Sequence, residues 1–289
     1  MEACLRGSEL RCAPFALAVA AIVLGCSTRI LVAVDPDPCA DGGIGGCFFP
    51  NLADGLIAWW RLDDGTGSAA QDAALYNNNG TLYQLDPATA WTAGRAGGGV
   101  DVAAKGWIGV VPSPSIDSID DQVTVAAWVN LEGTITPDPN STTIGWATAL
   151  SRQKGTTYDQ HYHLALNIDA HPHLFIMPAT GVAAITAPDP VARGTWVHIA
   201  GTYDSVEARL FVSGVLVASG DLAGHFAPDV TPVIIGGNGN GPSNVPTELF
   251  PGLLDEVLLY RRALTEDEIR QLAAGALPAG TSRDAGATD

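Results

Sequence analysis

Short runs of alternating hydrophobic and polar residues fill the middle of the chain. In residues 122–129, every second side chain is valine or alanine. Because successive side chains of a strand point to opposite faces, this run predicts a strand with one apolar face. Residues 196–203 and 253–260 have the composition of two further strands.

Two local signals complete the predicted secondary structure. Residues 209–218 place two apolar runs around Ser213-Gly214, and a two-residue turn ending in glycine tolerates the positive φ that a hairpin needs. Thr265, followed three residues later by Glu268, is a capping box that predicts a short helix. Many short strands and one short C-terminal helix indicate an all-β chain, folded as a two-sheet antiparallel β-sandwich or jelly roll.

The composition supports a packed sandwich and excludes one class of partner. The chain has 289 residues, of which 47% are hydrophobic. That is enough for a sizeable core, and its predicted anchors are Trp59, Trp128 and Trp196. The net charge is −17. Nucleic-acid binding needs a basic surface, so it is excluded here, and the same charge disfavours peripheral binding to an anionic membrane.

The N-terminus has the pattern of a targeting segment. Arg6 and Arg11 precede an apolar run over residues 13–24, which is too short to cross a bilayer of about 30 Å as a helix. The run ends in Val-Leu-Gly and Cys26, which resembles the bacterial lipobox. The resemblance implies cleavage before Cys26, lipid on its thiol and, with Ser27 next, export to the outer membrane or cell surface. The alternative is an ordinary secretory signal.

Composition divides the chain into four segments. Residues 1–25 are the predicted signal peptide, and residues 26–54, rich in proline, aspartate and glycine, are a predicted linker. Residues 55–273 contain the alternating runs and are predicted to form one domain. Residues 274–289 are predicted to be a disordered tail.

Two cysteines lie in the predicted linker. If Cys26 carries lipid and the leader is removed, Cys39 and Cys47 are the remaining thiols. An exported compartment is oxidising, so we expect these two residues to form a local disulfide. The closed loop is short and lies outside the predicted domain, so the bond should add little to the stability of the main fold.

Three motifs together resemble a known family. Residues 55–67 contain Gly-Leu-Ile-Ala-Trp-Trp-Arg-Leu-Asp-Asp, residues 194–204 contain Gly-Thr-Trp-Val-His-Ile-Ala-Gly-Thr-Tyr-Asp, and residues 252–265 contain Leu-Asp-Glu-Val-Leu-Leu-Tyr-Arg-Arg-Ala-Leu-Thr. Their order and spacing resemble laminin-G-like jelly-roll domains of the concanavalin A-like lectin/glucanase superfamily. The resemblance implies the fold; function has to be argued from a site, because sites vary independently on such folds.

The resemblance also implies a structural calcium ion near the junction of the first and last strands. Asp255 would supply one oxygen, and Asp63, Asp64 and Asp72 would supply others from the opening loop, since calcium takes about six to eight oxygen ligands. Where relatives carry further acids, this chain has Lys105, which would oppose calcium binding. The alternative is that Asp255 accepts backbone N–H groups.

Four histidines are close in sequence: His161, His163, His171 and His173. A His-x-His pair on a strand can bind zinc. A hairpin turn at residues 167–172 would pair His163 near residues 176–178. His173 would then lie roughly 10–16 Å along the sheet, at about 3.3 Å per residue. We therefore expect hydrogen-bonded or surface histidines rather than one shared zinc site.

The sequence predicts a protein that is not an enzyme. Glucanases of the resembling superfamily carry carboxylates two residues apart on one strand, because glycoside hydrolysis needs a pair of them. Here the densest acidic run, residues 266–268, lies in the first turn of the predicted helix, where acids suit the helix dipole. The sequence has no Gly-x-Ser-x-Gly, P-loop or His-Glu-x-x-His motif.

The predicted function is recognition of a glycan or of an envelope or extracellular protein. The candidate ligand-binding residues lie on predicted rim loops and are Trp91, Trp107, Trp146, Asn238 and Asn240. Aromatic rings can stack on the C–H groups of sugars, and amides can bond to their hydroxyls. The alternatives are a structural or adhesive envelope protein without a small ligand and, third, a glycan-active enzyme of another type.

Overall fold

A computed structural model describes most of the chain beyond the predicted leader and linker. The described ranges are 48–137, 145–153, 160–239 and 245–278. The predicted signal peptide and the cysteines at positions 26, 39 and 47 lie outside them. Within these ranges, none of the helices has the length and apolar character needed to span a membrane.

Two eight-stranded antiparallel sheets make up the fold, which confirms the predicted sandwich. One sheet, here called the polar sheet, has its strands in the order β12 (Ala183–Thr186), β11 (Pro172–Ile176), β10 (Gln160–Asn167), β9 (Trp146–Gln153), β16 (Val233–Ile235), β7 (Trp107–Val110), β4 (Gly80–Tyr83) and β3 (Ala69–Ala70).

The other sheet, here called the helix-backed sheet, is built around three long central strands. Its order is β15 (Val215–Asp221), β14 (Glu207–Val212), β13 (Trp196–Tyr203), β8 (Val123–Leu131), β17 (Gly252–Tyr260), β6 (Gly98–Asp101) and β5 (Trp91–Ala96), and β2 (Leu56–Trp60) also pairs with β17. The predicted strands at 122–129, 196–203 and 253–260 are thus central strands of this sheet.

The core between the sheets follows the alternation read from the sequence. Val123, Val125, Ala127 and Val129 of β8 all point into it and are fully buried. Side chains of the polar sheet, such as Leu164, meet them from the opposite side. Burial of these apolar side chains is the main stabilising contribution that holds the two sheets face to face.

The predicted tryptophan anchors of this core are wrong. Trp60, not Trp59, belongs to the inter-sheet core, whereas Trp59 belongs to a second apolar cluster on the outer face of the helix-backed sheet. Trp128 follows Ala127, which points inward, so alternation directs Trp128 outward. Trp196 is only half-buried.

The hairpin and the helix form where the local signals predicted them. Ser213 and Gly214 have φ of 49° and 80°, which is the backbone of a two-residue hairpin turn. Helix α2 (Glu266–Ala273) begins with the complete capping box between Thr265 and Glu268. The apolar side of α2 packs on the outer face of the helix-backed sheet. A second short helix, α1 (Pro114–Asp117), was not predicted.

The folded unit is longer than the predicted domain at both ends. Strands β1 (Phe48–Phe49) and β18 (Leu277–Pro278) pair in parallel, and a 3-10 turn follows at Pro50–Ala53. Leu52 is fully buried in the cluster under α2. The predicted domain bounds at 55 and 273 are therefore too narrow. Apolar residues outside them, in segments of mostly polar composition, complete this cluster.

Candidate functional site

The two outer faces of the sandwich differ in chemistry. Helix α2 and its apolar cluster cover part of the helix-backed sheet. The polar sheet instead carries several buried polar side chains. These are Thr148, Ser151, Gln153, His161, His163 and His173. Buried polar groups are usually hydrogen-bonded. Here Thr148 contacts His163, Ser151 donates to the Gly237 carbonyl and Gln153 donates to Asn238, so this face is not a second apolar core.

The centre of this face is a group that we call the histidine cluster: Trp146, Thr148, His163, His173 and Glu248. Thr148 Oγ1 lies 2.7 Å from His163 Nε2, and Glu248 Oε2 lies 3.6 Å from the same nitrogen. The ring of the half-buried Trp146 lies 4.3 Å from that of His173 and 6.1 Å from that of His163, between ring centroids.

The strand register brings the two histidines closer than predicted. His163 pairs with Phe175, and Ala165 pairs with His173. The two histidines are therefore two positions apart on one face, and the expected separation of three to five positions is wrong because the hairpin turn is tighter than assumed. His171 and His161 have other neighbours: the Ala187 carbonyl at 2.9 Å and the Asp229 carboxylate at 3.7 Å.

Burial keeps the imidazoles of the histidine cluster neutral. Loss of solvent and, to a smaller extent, the neighbouring His173 lower the pKa of His163 to about 3. Burial also lowers the pKa of His173 to about 4. A neutral imidazole has one donor and one acceptor nitrogen. At neutral pH the cluster can therefore exchange hydrogen bonds with hydroxyl groups without carrying positive charge.

Glu248 connects the histidine cluster to a cavity at the rim of the sandwich. This rim cavity has a volume of about 510 Å³ and is lined by Lys105, Thr134, Thr136 and Glu248, with proline and phenylalanine residues of the segment 246–251. Asn238 Nδ2 donates to Glu248 Oε2 at 2.8 Å. The amide thus holds the carboxylate at the boundary between cluster and cavity.

The structure separates the predicted ligand-binding residues. Trp146 lies in the histidine cluster and Asn238 adjoins it, although Asn238 is buried and positions Glu248. Trp107 is 1% exposed and stacks on Tyr83, so it offers no free face to a ligand, and its assignment to a rim loop is wrong. Trp91 lies in β5 and donates to the Gly67 carbonyl. Asn240 lies outside the described residues.

Backbone N–H groups hydrogen-bond to the carboxylates of two of the predicted calcium ligands. Asp255 Oδ2 accepts from the N–H groups of Arg95 and Ala96 at 2.7 and 2.9 Å, and Oδ1 accepts from that of Glu256. Asp72 is buried and accepts three backbone N–H groups, from Trp59, Ala74 and Asn78. Asp255 thus makes the contacts expected from the alternative to a calcium site, in which its carboxylate accepts backbone N–H groups.

The two remaining carboxylates of the predicted calcium site also have protein partners. Asp63 pairs with Arg61 at 2.9 Å, and Asp64 accepts from the Gln71 N–H at 3.1 Å. Across the described ranges, no three His, Cys, Asp or Glu side chains are grouped so as to hold a metal ion. The four aspartates fix the backbone of the opening loop and of the β5–β6 hairpin.

A second polar group lies on the outer face of the helix-backed sheet. His198 is 1% exposed, and neither ring nitrogen has a partner within the described residues. Its ring meets Trp128 edge-on at 5.5 Å. Both line a small cavity of about 30 Å³ together with Glu256, which is room for one or two water molecules. This space is too small for a sugar.

Sequence reasoning missed Glu248 and Thr148. Thr148 alternates with buried alanines in β9 and looks like an ordinary strand residue. Glu248 lies in a proline-containing segment and has φ of 55°, and nothing in the local pattern predicts its approach to β10. Only the packing of that segment against the polar sheet brings the carboxylate to His163.

Comparisons with known proteins agree on the fold. The family Laminin_G_3, of the concanavalin A-like lectin/glucanases superfamily, matches residues 105–270. Domain 4 of an extracellular GH43 arabinanase from Geobacillus stearothermophilus, solved with arabinotriose, is similar over 75% of this chain and 98% of its own, with a TM-score of 0.54 and 20% identity. No curated protein matches the sequence.

Two larger proteins contain a similar domain. The binding domain of Paraclostridial Mosquitocidal Protein 1 is similar over 77% of this chain and 52% of its own, with a TM-score of 0.57 and 19% identity. The sialidase of Trypanosoma rangeli is similar over 83% of this chain and 35% of its own, with a TM-score of 0.57 and 17% identity. At these identities the likeness concerns the fold alone.

Proposed function

Because the chain belongs to the concanavalin A-like lectin/glucanases superfamily, we propose that it is a non-catalytic protein that recognises a glycan through the histidine cluster and the rim cavity. One observation carries the proposal: the half-buried Trp146 lies beside two neutral imidazoles, and Glu248, which lies 3.6 Å from one of them, lines a cavity large enough for a sugar unit. Ligand pockets typically have about 300–1,000 Å³.

The chemistry of the two parts suits a saccharide. An indole face offers apolar contact to sugar C–H groups, while neutral imidazoles and threonine hydroxyls can both donate to and accept from sugar hydroxyls. Thr134 and Thr136 provide such hydroxyls on the cavity wall. The arabinanase domain solved with arabinotriose supports this class of ligand.

The non-catalytic part of the proposal rests on the carboxylates. Among the described residues of the histidine cluster and the rim cavity, Glu248 is the single acidic side chain. Glycoside hydrolysis uses two carboxyl groups on either side of the scissile bond, about 5–9.5 Å apart. A single carboxylate held by an amide suits positioning and hydrogen bonding instead.

The proposed location follows from the leader. Lipid on Cys26 would hold the domain at the outer membrane or cell surface, and the linker with its Cys39–Cys47 disulfide would separate it from the membrane. An envelope or extracellular protein is the second candidate partner, and it would make the chain a structural or adhesive protein.

A glycan array with the purified protein tests the proposal. We expect binding to a defined set of glycans that is lost in Trp146→Ala and kept in the matched variant Trp196→Ala, whose half-buried tryptophan lies in the helix-backed sheet. Binding that is unchanged in Trp146→Ala would contradict the proposed site. Absence of any glycan hit, with capture of an envelope protein, would favour the structural alternative.

A further inference from the structure

The rim cavity contains one cation without a partner. Lys105 is one of two lysines in a chain of net charge −17, and it is the single basic residue lining the cavity. Within the described part of the chain, its ammonium makes no hydrogen bond and no ion pair. Most other basic side chains described here pair with acids, for example Arg262 with Glu268 at 2.7 Å.

Glu248, the other charged residue of the cavity, is held by partners in and beside the histidine cluster. Its Oε2 accepts from Asn238 and lies 3.6 Å from the His163 ring. The carboxylate is therefore directed toward the histidine cluster, and no ion pair joins it to Lys105. Lys105 is exposed, so its charge is accessible to an anion that enters the cavity.

The backbone fixes Lys105 at the cavity wall. Its φ of 69° lies in the left-handed region, where a residue other than glycine is strained and persists only when its surroundings hold it. Two hydrogen bonds define the turn: Lys105 N–H donates to the Val102 carbonyl at 3.2 Å, and Ala103 N–H donates to Asp101 at 2.8 Å. Gly106 is the next residue, and a Cβ added to it would lie 2.2 Å from Leu85 Cγ. The turn therefore packs closely against Leu85.

We propose that the rim cavity selects saccharides bearing an anionic group, a carboxylate or a sulfate, whose charge pairs with the Lys105 ammonium. This inference rests on the proposed function and specifies its substrate class. The ring hydroxyls of the same sugar unit would contact Thr134 and Thr136. The ammonium is a point charge that does not distinguish carboxylate from sulfate by geometry, so the shared chemistry is the anion.

The overall acidity of the protein does not prevent such binding. Screening limits electrostatic interactions in water to about 8 Å at physiological ionic strength. The charges that decide the binding of a sugar anion are therefore those that line the cavity, and these are one unpaired lysine and one carboxylate held by its own partners.

The test uses probe pairs that differ only in charge. Trigalacturonic acid is compared with its methyl ester, and a sulfated galacto-oligosaccharide with its desulfated form, by calorimetric titration of the purified protein. We expect the charged member of at least one pair to bind roughly 2- to 5-fold more tightly, as for an ion pair at an exposed lysine. Lys105→Gln should reduce its affinity to that of the uncharged member, which should bind the variant unchanged.

Three outcomes would overturn the inference alone. The first is equal binding of charged and uncharged probes, and the second is an unchanged affinity in Lys105→Gln. The third is an equal loss in Lys154→Gln, the variant at the other lysine. In each case, neutral glycans that bind through Trp146 would leave the proposed function standing. If neither these probes nor any arrayed glycan binds, both proposals fail together.

Discussion

Thr148 and His163 share a hydrogen bond of 2.7 Å across the β9–β10 pair, on the outer face of the polar sheet. This bond fixes the orientation of a buried imidazole whose other neighbours are Trp146 and Glu248. Ring orientation decides which nitrogen can donate and which can accept. The hydroxyl of Thr148 is thus a positioning group for the surface at which we propose glycan binding.

Thr148→Val removes this hydroxyl at nearly constant volume. We expect a loss of about 1–3 kcal/mol in the free energy of unfolding, because a buried ring nitrogen loses its partner, and weaker binding of any glycan that binds the wild type. Urea unfolding measures the first effect. Thr81→Val, at an exposed position of β4, should change neither quantity, and equal effects of the two variants would contradict the positioning role.

The lowered pKa of His163 predicts an acid-dependent loss of stability. The folded-state pKa of about 3 lies below the unfolded value of about 6.5, so the unfolded chain binds the additional proton. Stability from this group is present above pH 6.5 and is lost as the pH falls toward 3. Between pH 7 and pH 5 the loss should be about 2 kcal/mol.

Comparison with His163→Gln isolates this contribution. The carboxyl groups of Asp255 and Glu256 have pKa values raised by burial to about 7 and about 8, and they change stability in the opposite direction over an overlapping range. They are common to both proteins, so they cancel in the difference. Urea unfolding of both proteins at pH 7 and pH 5 should show the difference shrinking at pH 5. A constant difference would contradict the neutral, buried state of His163.

Leu52→Ala tests the corrected domain boundary. Leu52 is 0% exposed beneath α2, so truncation should cost about 2–5 kcal/mol, as for other buried leucines. Leu75→Ala is the matched control, since Leu75 is 71% exposed and its truncation should have little effect. Thermal unfolding gives the melting temperature of both variants. Equal melting temperatures would show that residue 52 belongs to a linker, as the sequence predicted.

Calcium should not change the stability of the protein. The oxygens of Asp255 and Asp72 already accept backbone N–H groups, so we expect superimposable melting curves in chelator and in millimolar calcium. Asp255→Ala should lower the melting temperature equally in both buffers. A fall of several degrees in chelator alone would show that an ion displaces these donors, since a ligand bound only by the native state stabilises it.

The leader makes a separate prediction. Cys26→Ser should move the protein from the detergent phase to the aqueous phase after phase partitioning, because the proposed lipid is attached to this thiol. An unchanged distribution would leave an ordinary secretory signal. Thiol labelling without reductant should detect neither Cys39 nor Cys47 if these two form the proposed disulfide.

Local patterns predicted the framework of the fold. Alternation placed Val125 and Ala127 in the core, and Thr265 with Glu268 placed the start of α2, because both signals depend on residues close in sequence. The same alternation, applied consistently, would have directed Trp128 outward. Whether Leu52 is buried depends instead on its contacts with α2, which lies more than 200 residues later in the chain. The hydrogen bond from Arg262 to the Asn51 carbonyl also joins segments that are far apart in sequence.

The candidate site was only partly predictable. Trp146 and Asn238 were identified from residue type, whereas Trp107 was misplaced because exposure cannot be read from one aromatic residue. The closeness of His163 and His173 depends on a register set by the turn at residues 168–171. Glu248 reaches His163 through tertiary packing of a segment with left-handed backbone, and no short-range pattern encodes that contact.

The most direct measurement is an NMR titration of the histidine side chains with the strongest-binding glycan from the array. Long-range proton–nitrogen correlations resolve each imidazole, and His198, buried on the opposite outer face, is an internal reference. We predict that the signals of His163 and His173 shift with glycan concentration while that of His198 does not. Shifts confined to His198, or saturable binding without a shift of His163 and His173, would contradict recognition at the histidine cluster.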